Sequence, residues 1–309
     1  MVVKMKKFKE ILFLKSLKRV GKAKIYGKYW KILNETEDLE DLLYKIQLIE
    51  SKFSLEYLQE TKEKVDGLYD DIINSDIDVI TIFDENYPKK LEIMGKKKPL
   101  ILYIKGNVEA MAKHNIAIIG TRKPSKLSQE FETKLVKKIV NTSKKLVVSG
   151  LALGCDKIAH QTTVDENKST IAILPSGVEV ITPASNKKLA EKILENGGCL
   201  VSEYEPNAKA FRRTYVERDQ IVAAFSDAIL VVECGVKSGT MHTVDAAKKF
   251  DRQIFSYLPK DISNDSFSGN KFILENNYNA IPVESIDKFL KDLENINAEN
   301  NISKQQTLI

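Results

Sequence analysis

Three short turns carry residues that could bind an anion. Gly120-Thr-Arg122 follows the apolar run Ala117-Ile-Ile119, and Ser149-Gly-Leu-Ala-Leu-Gly154 follows the apolar run Leu146-Val-Val148. Lys237-Ser-Gly-Thr240 likewise stands between an apolar run and a helical pattern. The backbone N–H groups at the start of a helix have no partner within the helix, so they can bind an oxyanion. Thr, Ser and Arg side chains beside them would strengthen a phosphate contact.

The same residues argue against metal, cofactor and covalent chemistry. The dinucleotide-binding pattern Gly-x-Gly-x-x-Gly is absent, because only one glycine, Gly120, stands in the first turn. Cys155, Cys199 and Cys234 are far apart and odd in number, which predicts neither a disulfide framework nor a zinc ribbon. His160 is interpreted as a helix-surface or supporting residue. We therefore expect no metal site, no cofactor and no catalytic residue.

The elements that position these turns have the pattern of a doubly wound α/β domain. Short apolar runs without polar alternation predict strands that are buried on both faces, and amphipathic spacers predict right-handed helical crossovers. The ligand is then expected at the carboxyl ends of the strands. The predicted strands are Ile116–Ile119, Lys145–Val148, Thr170–Leu174, Cys199–Ser202, Ala228–Val232 and Gln253–Ser256. The predicted helices are Ser128–Val140, Asp156–Asp165, Asn186–Glu195, Glu217–Ala224 and Thr240–Phe250.

The rest of the chain divides by composition and periodicity. Apolar residues at helical spacing predict a small all-helical domain over 1–75, followed by an extended connector over 76–107. The α/β core is placed at 108–293, and the polar, Asn-rich segment 294–309 is expected to be a disordered tail.

Charge and hydropathy narrow the location and the partners. The chain has 309 residues and a formal net charge of +5, and residues 1–31 hold 11 Lys or Arg and a single acid, Glu10. A basic segment suits a phosphate backbone or an acidic partner, and it equally suits an ordinary solvated helix face. No apolar run is long enough to span a bilayer, and no signal peptide is apparent. We expect a cytoplasmic protein without a membrane partner.

Eight motifs follow one another along the α/β core. They are Gly120-Thr-Arg122, Ser149-Gly-Leu-Ala-Leu-Gly-Cys-Asp156, Ala159-His160, Ile173-Leu-Pro-Ser-Gly177, Thr182-Pro-Ala-Ser-Asn186, Ser202-Glu-Tyr204, Tyr215-Val-Glu-Arg218 and Val232-Glu-Cys-Gly-Val-Lys-Ser-Gly239. Read in this order, the motifs resemble the DprA/Smf family of DNA-processing proteins over about residues 108–283. Tyr87-Pro88 and Tyr103-Ile-Lys-Gly-Asn107 also resemble the family's entry to that core, and the helical N-terminus is compatible with its small SAM-like domain.

The resemblance implies a non-enzymatic protein that binds single-stranded DNA and loads RecA recombinase onto incoming DNA during natural transformation. It also implies a homodimer formed through the core. A tyrosine at position 215 could stack on a base while neighbouring cations follow the DNA backbone. Together, the resemblance and the three turns predict that DNA or its phosphates contact Gly120, Thr121, Arg122, Ser149, Gly150, Lys209, Arg212, Arg213, Tyr215, Arg218, Lys237, Ser238 and Gly239.

Departures from the family pattern leave two alternatives open. The family's Arg-Asn-Arg run reads Arg218-Asp-Gln220 here, which replaces an amide by an acid and removes one positive charge. A sensor of a small nucleotide-derived ligand at the same strand edge is therefore one alternative. The other is a nucleoside-monophosphate phosphoribohydrolase, whose Pro-Gly-Gly-x-Gly-Thr turn and catalytic Glu are absent from Glu233–Thr240. Glu203 and Glu233 could form an acid–base pair, but a helix cap or a salt bridge explains them equally well.

Overall fold

The computed structural model describes residues 5–260 and 265–306, with side chains described as far as residue 296. The chain falls into two compact units, Met1–Ile104 and Lys105–Ile309. In the described part of the chain, every helix is either too short or too polar to cross a bilayer.

The first unit is mainly helical. Its most buried helix, α1, places Ile11, Leu12, Phe13 and Leu14 out of contact with solvent. Asp38 and Ser54 cap the next long helices, because each side chain accepts a hydrogen bond from a first-turn N–H group. The elements are α1 Phe8–Ser16, α2 Lys22–Lys24, a π-helical turn Ile25–Tyr29, α3 Trp30–Glu35, α4 Leu39–Ile49, α5 Leu55–Ile73, β1 Ile77–Thr81, a 3₁₀ segment Lys89–Lys97 and β2 Ile101–Gly106.

The second unit is built on seven parallel strands in the order β6-β5-β4-β3-β7-β8-β9. Each of the six predicted strands is present, and β9 was missed. Consecutive strands from β3 to β6 extend the sheet in one direction, and β7 returns to the other side of β3. The strands are β3 Asn115–Ile119, β4 Leu146–Ser149, β5 Thr170–Ile173, β6 Cys199–Ser202, β7 Ala228–Val231, β8 Gln253–Tyr257 and β9 Ala280–Val283.

Helices cover both faces of this sheet, since every residue of β3 and β7 is buried. Residues of α6, α7 and α12 pack together in one apolar cluster on the sheet, while α9 and α10 pack on each other. The helices are α6 Lys126–Thr142, α7 Cys155–Asp165, α8 Lys187–Glu195, α9 Arg212–Phe225, α10 Thr240–Lys249, α11 Ser268–Glu275 and α12 Ile286–Gln306, with 3₁₀ turns at Val108–Ala112, Ala184–Asn186 and Asp265–Phe267. The predicted doubly wound, mostly parallel fold with a helical N-terminal region is thereby confirmed.

The C-terminal segment differs from its expected form. Residues from 294 were predicted to be a disordered tail, yet the backbone of α12 is helical through Gln306, and residues 307–309 lie outside the described residues. Phe289 and Leu293 are buried in the core cluster and Ile296 packs against it. This spacing of three and four residues keeps an apolar stripe on the core, so the helix continues into the polar sequence.

Candidate functional site

A cleft of about 620 Å³ opens at the carboxyl ends of β3, β4 and β7. The strand order reverses between β3 and β7, and parallel α/β sheets hold their ligands at such a switch point. Residues of α9 between Arg212 and Val222 and the first turn of α10 complete the wall. Nine of the thirteen predicted residues line the cleft: Gly120, Thr121, Arg122, Gly150, Arg212, Tyr215, Arg218, Ser238 and Gly239.

Backbone hydrogen bonds fix the turn after β3, and the side chain of Arg122 in this turn is exposed. Thr121 N–H donates to the Glu233 carbonyl oxygen at 2.7 Å, and Cys155 N–H donates to the Thr121 carbonyl oxygen at 3.1 Å. Gly154 has a φ of +75°, and a Cβ at this position would lie 2.2 Å from the Thr121 carbonyl oxygen, so glycine is required. Arg122 is exposed and has no ion pair among the described residues. Its guanidinium donors are therefore open to an anion.

Two buried polar side chains hold the turn after β4. One Asp156 carboxylate oxygen, Oδ2, accepts hydrogen bonds from the N–H groups of Gly150 at 3.1 Å and Ala152 at 3.3 Å. The Asn186 amide Nδ2 donates to the carbonyl oxygens of Leu151 at 2.9 Å and Ala152 at 3.2 Å. Leu151 has a φ of +57°, a strained conformation for a branched residue, which these contacts stabilise.

Arg218 completes this support from α9. Its buried guanidinium donates through Nη1 to the carbonyl oxygens of Gly150 and Ile173, and through Nε to an Asp219 carboxylate oxygen at 3.0 Å. A Cβ on Gly150 would lie 1.8 Å from Nη1, so only glycine leaves room for this contact. We call Gly150, Asp156, Asn186 and Arg218 the clamped floor of the cleft. The predicted phosphate contact of Arg218 stays a prediction, and its observed partners are protein atoms.

Two carboxyl groups, those of Asp156 and Asp219, lie near Arg218, and burial opposes the ionisation of both. Burial raises the pKa of Asp156, and the positive charge of Arg218 acts in the opposite direction. Burial likewise raises the pKa of Asp219, against the charge and hydrogen bond of Arg218. The positive charge of one guanidinium, that of Arg218, thus opposes the effect of burial on both carboxyl groups.

The N-terminus of α10 opens onto the cleft. Ser238, Gly239, Thr240 and His242 line it, and Gly239 at the N-cap position provides no side-chain cap. The first-turn N–H groups of a helix carry a partial positive charge that favours an anion. This end of the cleft therefore suits a phosphate oxygen.

Three exposed or half-buried side chains form what we call the rim: Arg122, Arg212 and Tyr215. The Arg122 guanidinium carbon lies 5.7 Å from the centre of the Tyr215 ring, which is within cation–π range. Arg212 is exposed in the first turn of α9 and also lines the cleft. The rim thus combines an aromatic ring with two cations.

Four predicted residues lie outside the cleft lining. The buried Ser149 hydroxyl donates to the Ile118 carbonyl oxygen at 2.7 Å, because β4 still runs beside β3 at this position. Lys209 and Lys237 are exposed, and Arg213 pairs with Glu217 at 2.8 Å while staying 86% exposed. Contacts of these four residues with a ligand stay predictions.

The cysteines and one acidic residue near the cleft are in structural roles. Burial raises the pKa of the Cys155 thiol far above its usual range, and it raises that of Cys234 to about 12, so neither thiol is activated. Glu233 Oε2 accepts hydrogen bonds from the Ser125 N–H at 2.8 Å and the Ser125 hydroxyl at 2.7 Å, at the N-cap of α6. The helix-cap interpretation of Glu233 therefore fits the observed contacts.

Of the two interpretations of His160, a helix-surface residue or a supporting residue, the structure fits the second. The His160 side chain is completely buried, and Nδ1 lies 2.9 Å from the Thr170 hydroxyl. Burial lowers its pKa to about 3, so the ring is neutral. The helix that carries it packs on β4 and β5, which covers this face. Within the described ranges no group of three or more His, Cys, Asp or Glu side chains could hold a metal ion.

Sequence reasoning missed the supporting roles of Asp156 and Asn186. Both residues stand inside motifs that carried the resemblance, but neither was assigned a task. Asp156 lies two residues after Gly154, where a carboxylate usually caps its own helix. That it holds the preceding turn instead depends on the path of the backbone, which the sequence pattern does not specify.

Comparisons with known proteins identify the family of this chain. A family model described as DNA recombination-mediator protein A matches residues 78–294. The chain is 30% identical over 253 residues to protein Smf of Borreliella burgdorferi, covering 79% of this chain and 76% of that protein. It is also 30% identical over 210 residues to protein Smf of Escherichia coli, covering 68% of this chain and 55% of that protein.

Two solved structures share the fold. DNA processing protein A from Streptococcus pneumoniae superposes with a TM-score of 0.76 at 24% identity, covering 92% of this chain and 96% of that chain. DNA processing protein A from Helicobacter pylori, whose structure concerns its single-stranded DNA binding mode, superposes with a TM-score of 0.64 at 27% identity, covering 72% and 97%. On the family match and the sequence identity, this chain belongs to the DprA/Smf family of DNA-processing proteins.

Proposed function

We propose that this chain binds single-stranded DNA in the cleft and does not cleave it. The observation that carries the proposal is the rim, where the unpaired Arg122 guanidinium lies 5.7 Å from the Tyr215 ring. A guanidinium beside an aromatic ring matches a phosphate followed by an unstacked base. The relative from Helicobacter pylori, which has a single-stranded DNA binding mode, supports the proposal.

The turn after β3 and the N-terminus of α10 would supply the other phosphate contacts. Gly120 and Thr121 would contact a phosphate from the turn after β3. Ser238 and Gly239 would contact it at the N-terminus of α10, which has no side-chain cap. In a duplex the base faces are stacked and paired, so the Tyr215 ring would have no free face to contact. We therefore expect a preference for single strands.

The protein would act as a binding platform rather than as an enzyme. Burial keeps the Cys155 and Cys234 thiols protonated, and His160 is neutral and buried. Glu233 is occupied by Ser125. None of these four side chains is therefore available as an activated nucleophile or a free base.

We further propose that the bound strand is passed to a RecA-type recombinase during natural transformation, and that the protein works as a homodimer in the cytoplasm. The matched family's description as a recombination mediator supports the first part. Two measurements test these points. One is the rate at which a RecA-type recombinase assembles on a strand coated by this protein, and the other is the mass of the protein in solution by light scattering. No acceleration of assembly, or a monomer mass, would refute the respective part.

A small nucleotide is the second candidate ligand. The cleft volume of about 620 Å³ is in the range of small-molecule pockets, and the Asp219 carboxyl on its wall would oppose a long polyanion. Such a ligand would still use Arg122 and the N-terminus of α10. The two candidates differ in the length of nucleic acid they tolerate.

The dissociation constant for a fluorescent thymidylate strand of about 30 nucleotides, compared with a duplex at two salt concentrations, tests the main proposal. Arg122→Ala should weaken binding by about 1–3 kcal/mol, the magnitude of a charge-assisted contact. Lys192→Ala is the matched control, because Lys192 is exposed in the last turn of α8, at the opposite edge of the sheet. It removes the same charge and should leave binding unchanged.

Two results would contradict the proposal. If Arg122→Ala binds the strand as tightly as the unmodified protein does, Arg122 does not hold a phosphate and the proposal is wrong. An unmodified protein that binds no strand but is stabilised against heat by mononucleotides would favour the small-ligand alternative.

A further inference from the structure

Exposed apolar side chains in the second unit gather at one edge of the sheet. In its described part, four large apolar residues are exposed, and each lies between the carboxyl end of a strand and the first turn of the next helix, on the edge where the cleft opens. Phe211 is the most exposed at 67%; the others are Leu127, Leu153 and Val236. Two thirds of the Phe211 surface is therefore open to a partner.

The backbone of Phe211 is fixed although its ring is free. Its N–H donates to the Thr214 hydroxyl oxygen at 3.0 Å, and that hydroxyl donates to the Phe211 carbonyl oxygen at 2.9 Å. Earlier in the same loop, Ala208 accepts a hydrogen bond from Gly177 N–H at 2.8 Å, and Pro206 accepts one from Glu179 N–H at 2.9 Å. The loop is therefore ordered before any ligand binds, which lowers the entropy cost of a contact to the ring.

The charges around the ring favour a nucleic acid as its partner. Lys209, Arg212 and Arg213 are exposed on both sides of Phe211 in the chain. Protein interfaces are depleted of charged residues around their apolar centre, whereas single-strand binding surfaces combine aromatic rings with cations. The aromatic ring of Phe211 among three cations therefore matches a surface that binds single-stranded nucleic acid.

The position of Phe211 in the chain continues the rim of the cleft. Phe211 is the N-cap residue of α9, with extended backbone, and Tyr215 lies four residues later, within the helix. The two positions are about 6 Å apart along the helix axis. A strand that leaves the Tyr215 ring along α9 would therefore meet the Phe211 ring next.

We propose that Phe211 is a second base-stacking platform, outside the cleft, for a nucleotide adjacent to the one at Tyr215. Lys209 and Arg212 hold the phosphates on either side. The inference rests on the proposed binding of single-stranded DNA and adds the path by which the strand leaves the cleft. The partner is a single-stranded nucleic acid with at least one base beyond the cleft.

The test compares Phe211→Ala and Phe211→Tyr with the unmodified protein on the thymidylate strand of about 30 nucleotides. Phe211→Ala should raise the dissociation constant by about 5- to 100-fold, and Phe211→Tyr should bind normally, because it keeps a ring. Leu127→Ala is the control for loss of exposed apolar surface at the same edge, since Leu127 is 47% exposed. It should leave the dissociation constant unchanged. A strand of equal length without bases should bind Phe211→Ala and the unmodified protein equally.

The outcomes separate this inference from the proposed function. If Arg122→Ala loses affinity and Phe211→Ala does not, the platform is refuted and the cleft proposal stands. If Phe211→Ala loses the same affinity for strands with and without bases, stacking is also refuted. If the mass of the Phe211→Ala protein in solution differs from that of the unmodified protein, the ring contacts another protein chain instead of a base. If the unmodified protein binds no strand, both proposals fail together.

Discussion

The floor and the rim of one cleft use the same residue type in opposite ways. On the clamped floor, the Arg218 guanidinium is buried and donates to the carbonyl oxygens of Gly150 and Ile173 and to Asp219. On the rim, the Arg122 guanidinium is exposed and faces the Tyr215 ring. On the floor, hydrogen bonds to protein groups offset the cost of burying the Arg218 charge. On the rim, the N–H donors of Arg122 stay available for a ligand.

This contrast separates stability from affinity. Removing a floor residue leaves buried carbonyl and carboxyl groups without partners, so the fold itself should lose free energy. Removing a rim residue changes groups that are exposed or half-buried, so the loss should appear mainly in binding. Variants in the two regions can therefore be told apart by measuring unfolding and binding on the same samples.

Arg218→Met should have the largest effect. It leaves two acids, Asp156 and Asp219, without the charge that opposes their burial, and it frees the Gly150 carbonyl oxygen. Breaking a buried ion pair from one side costs about 3–5 kcal/mol. Urea unfolding measures this loss, and strand binding should fall with it because the turn after β4 is no longer held.

Arg218→Lys distinguishes charge from geometry. Lysine restores the charge but lacks the planar fork of donors, so we expect only partial recovery of stability. If Arg218→Met unfolds at the same urea concentration as the unmodified protein while binding is lost, Arg218 belongs with the rim and the contrast is wrong.

Tyr215→Leu tests the rim. Loss of a stacked base costs about 1–3 kcal/mol in binding, and Tyr215→Phe should retain most of the affinity because it keeps the ring. Fluorescence titration with the thymidylate strand gives the dissociation constants. Equal binding by the leucine variant and the unmodified protein would make Tyr215 a packing residue of α9.

Substitution of Glu132, which lies near Asp156, should have a smaller effect on stability, and this effect should depend on pH. Glu132 is completely buried beside Cys155, and burial, followed by the nearby Asp156 charge, raises its pKa well above the usual 4.5. As pH rises through about 4.5, the unfolded chain releases this proton and the folded protein keeps it. The contribution of Glu132 to stability is therefore complete below that pH and decreases as pH rises towards the raised pKa.

Glu132→Gln removes this dependence, since the amide does not ionise. At neutral pH it should raise the free energy of unfolding by an amount of the order of 1 kcal/mol. The measurement is urea unfolding of both proteins between pH 4 and 8, in steps of about one pH unit. A constant difference across this range would show that Glu132 does not titrate on unfolding.

The same contrast explains how far the sequence could be interpreted. The rim and the turns were predictable, because Gly120-Thr-Arg122 and Lys237-Ser-Gly-Thr240 follow apolar runs and parallel strands end at one edge. The floor was not, because a buried Arg218 and an exposed Arg122 have the same letter in a sequence. Their difference arises from which element covers each side chain.

The C-terminal helix shows a second limit of the same kind. The composition of residues 294–306 indicates a tail, but Phe289, Leu293 and Ile296 set the apolar spacing that carries α12 onward. Phe211 was overlooked for a related reason, since an isolated phenylalanine beside three cations is not distinguishable from a core residue until its exposure is known.

Arg212 and Arg213 give the smallest and most specific test of the rim. Arg213 is already paired with Glu217 at 2.8 Å, whereas Arg212 lines the cleft and has no ion pair among the described residues. Arg212→Ala should therefore reduce the salt dependence of strand binding by about 0.7 log units per decade of salt, the share of one phosphate contact. Arg213→Ala should reduce it by less, because Glu217 offsets its charge and an exposed pair contributes only about 0–1 kcal/mol. Titrations at several salt concentrations measure both slopes, and a larger change for Arg213→Ala would place the strand on the outer side of α9, away from the cleft.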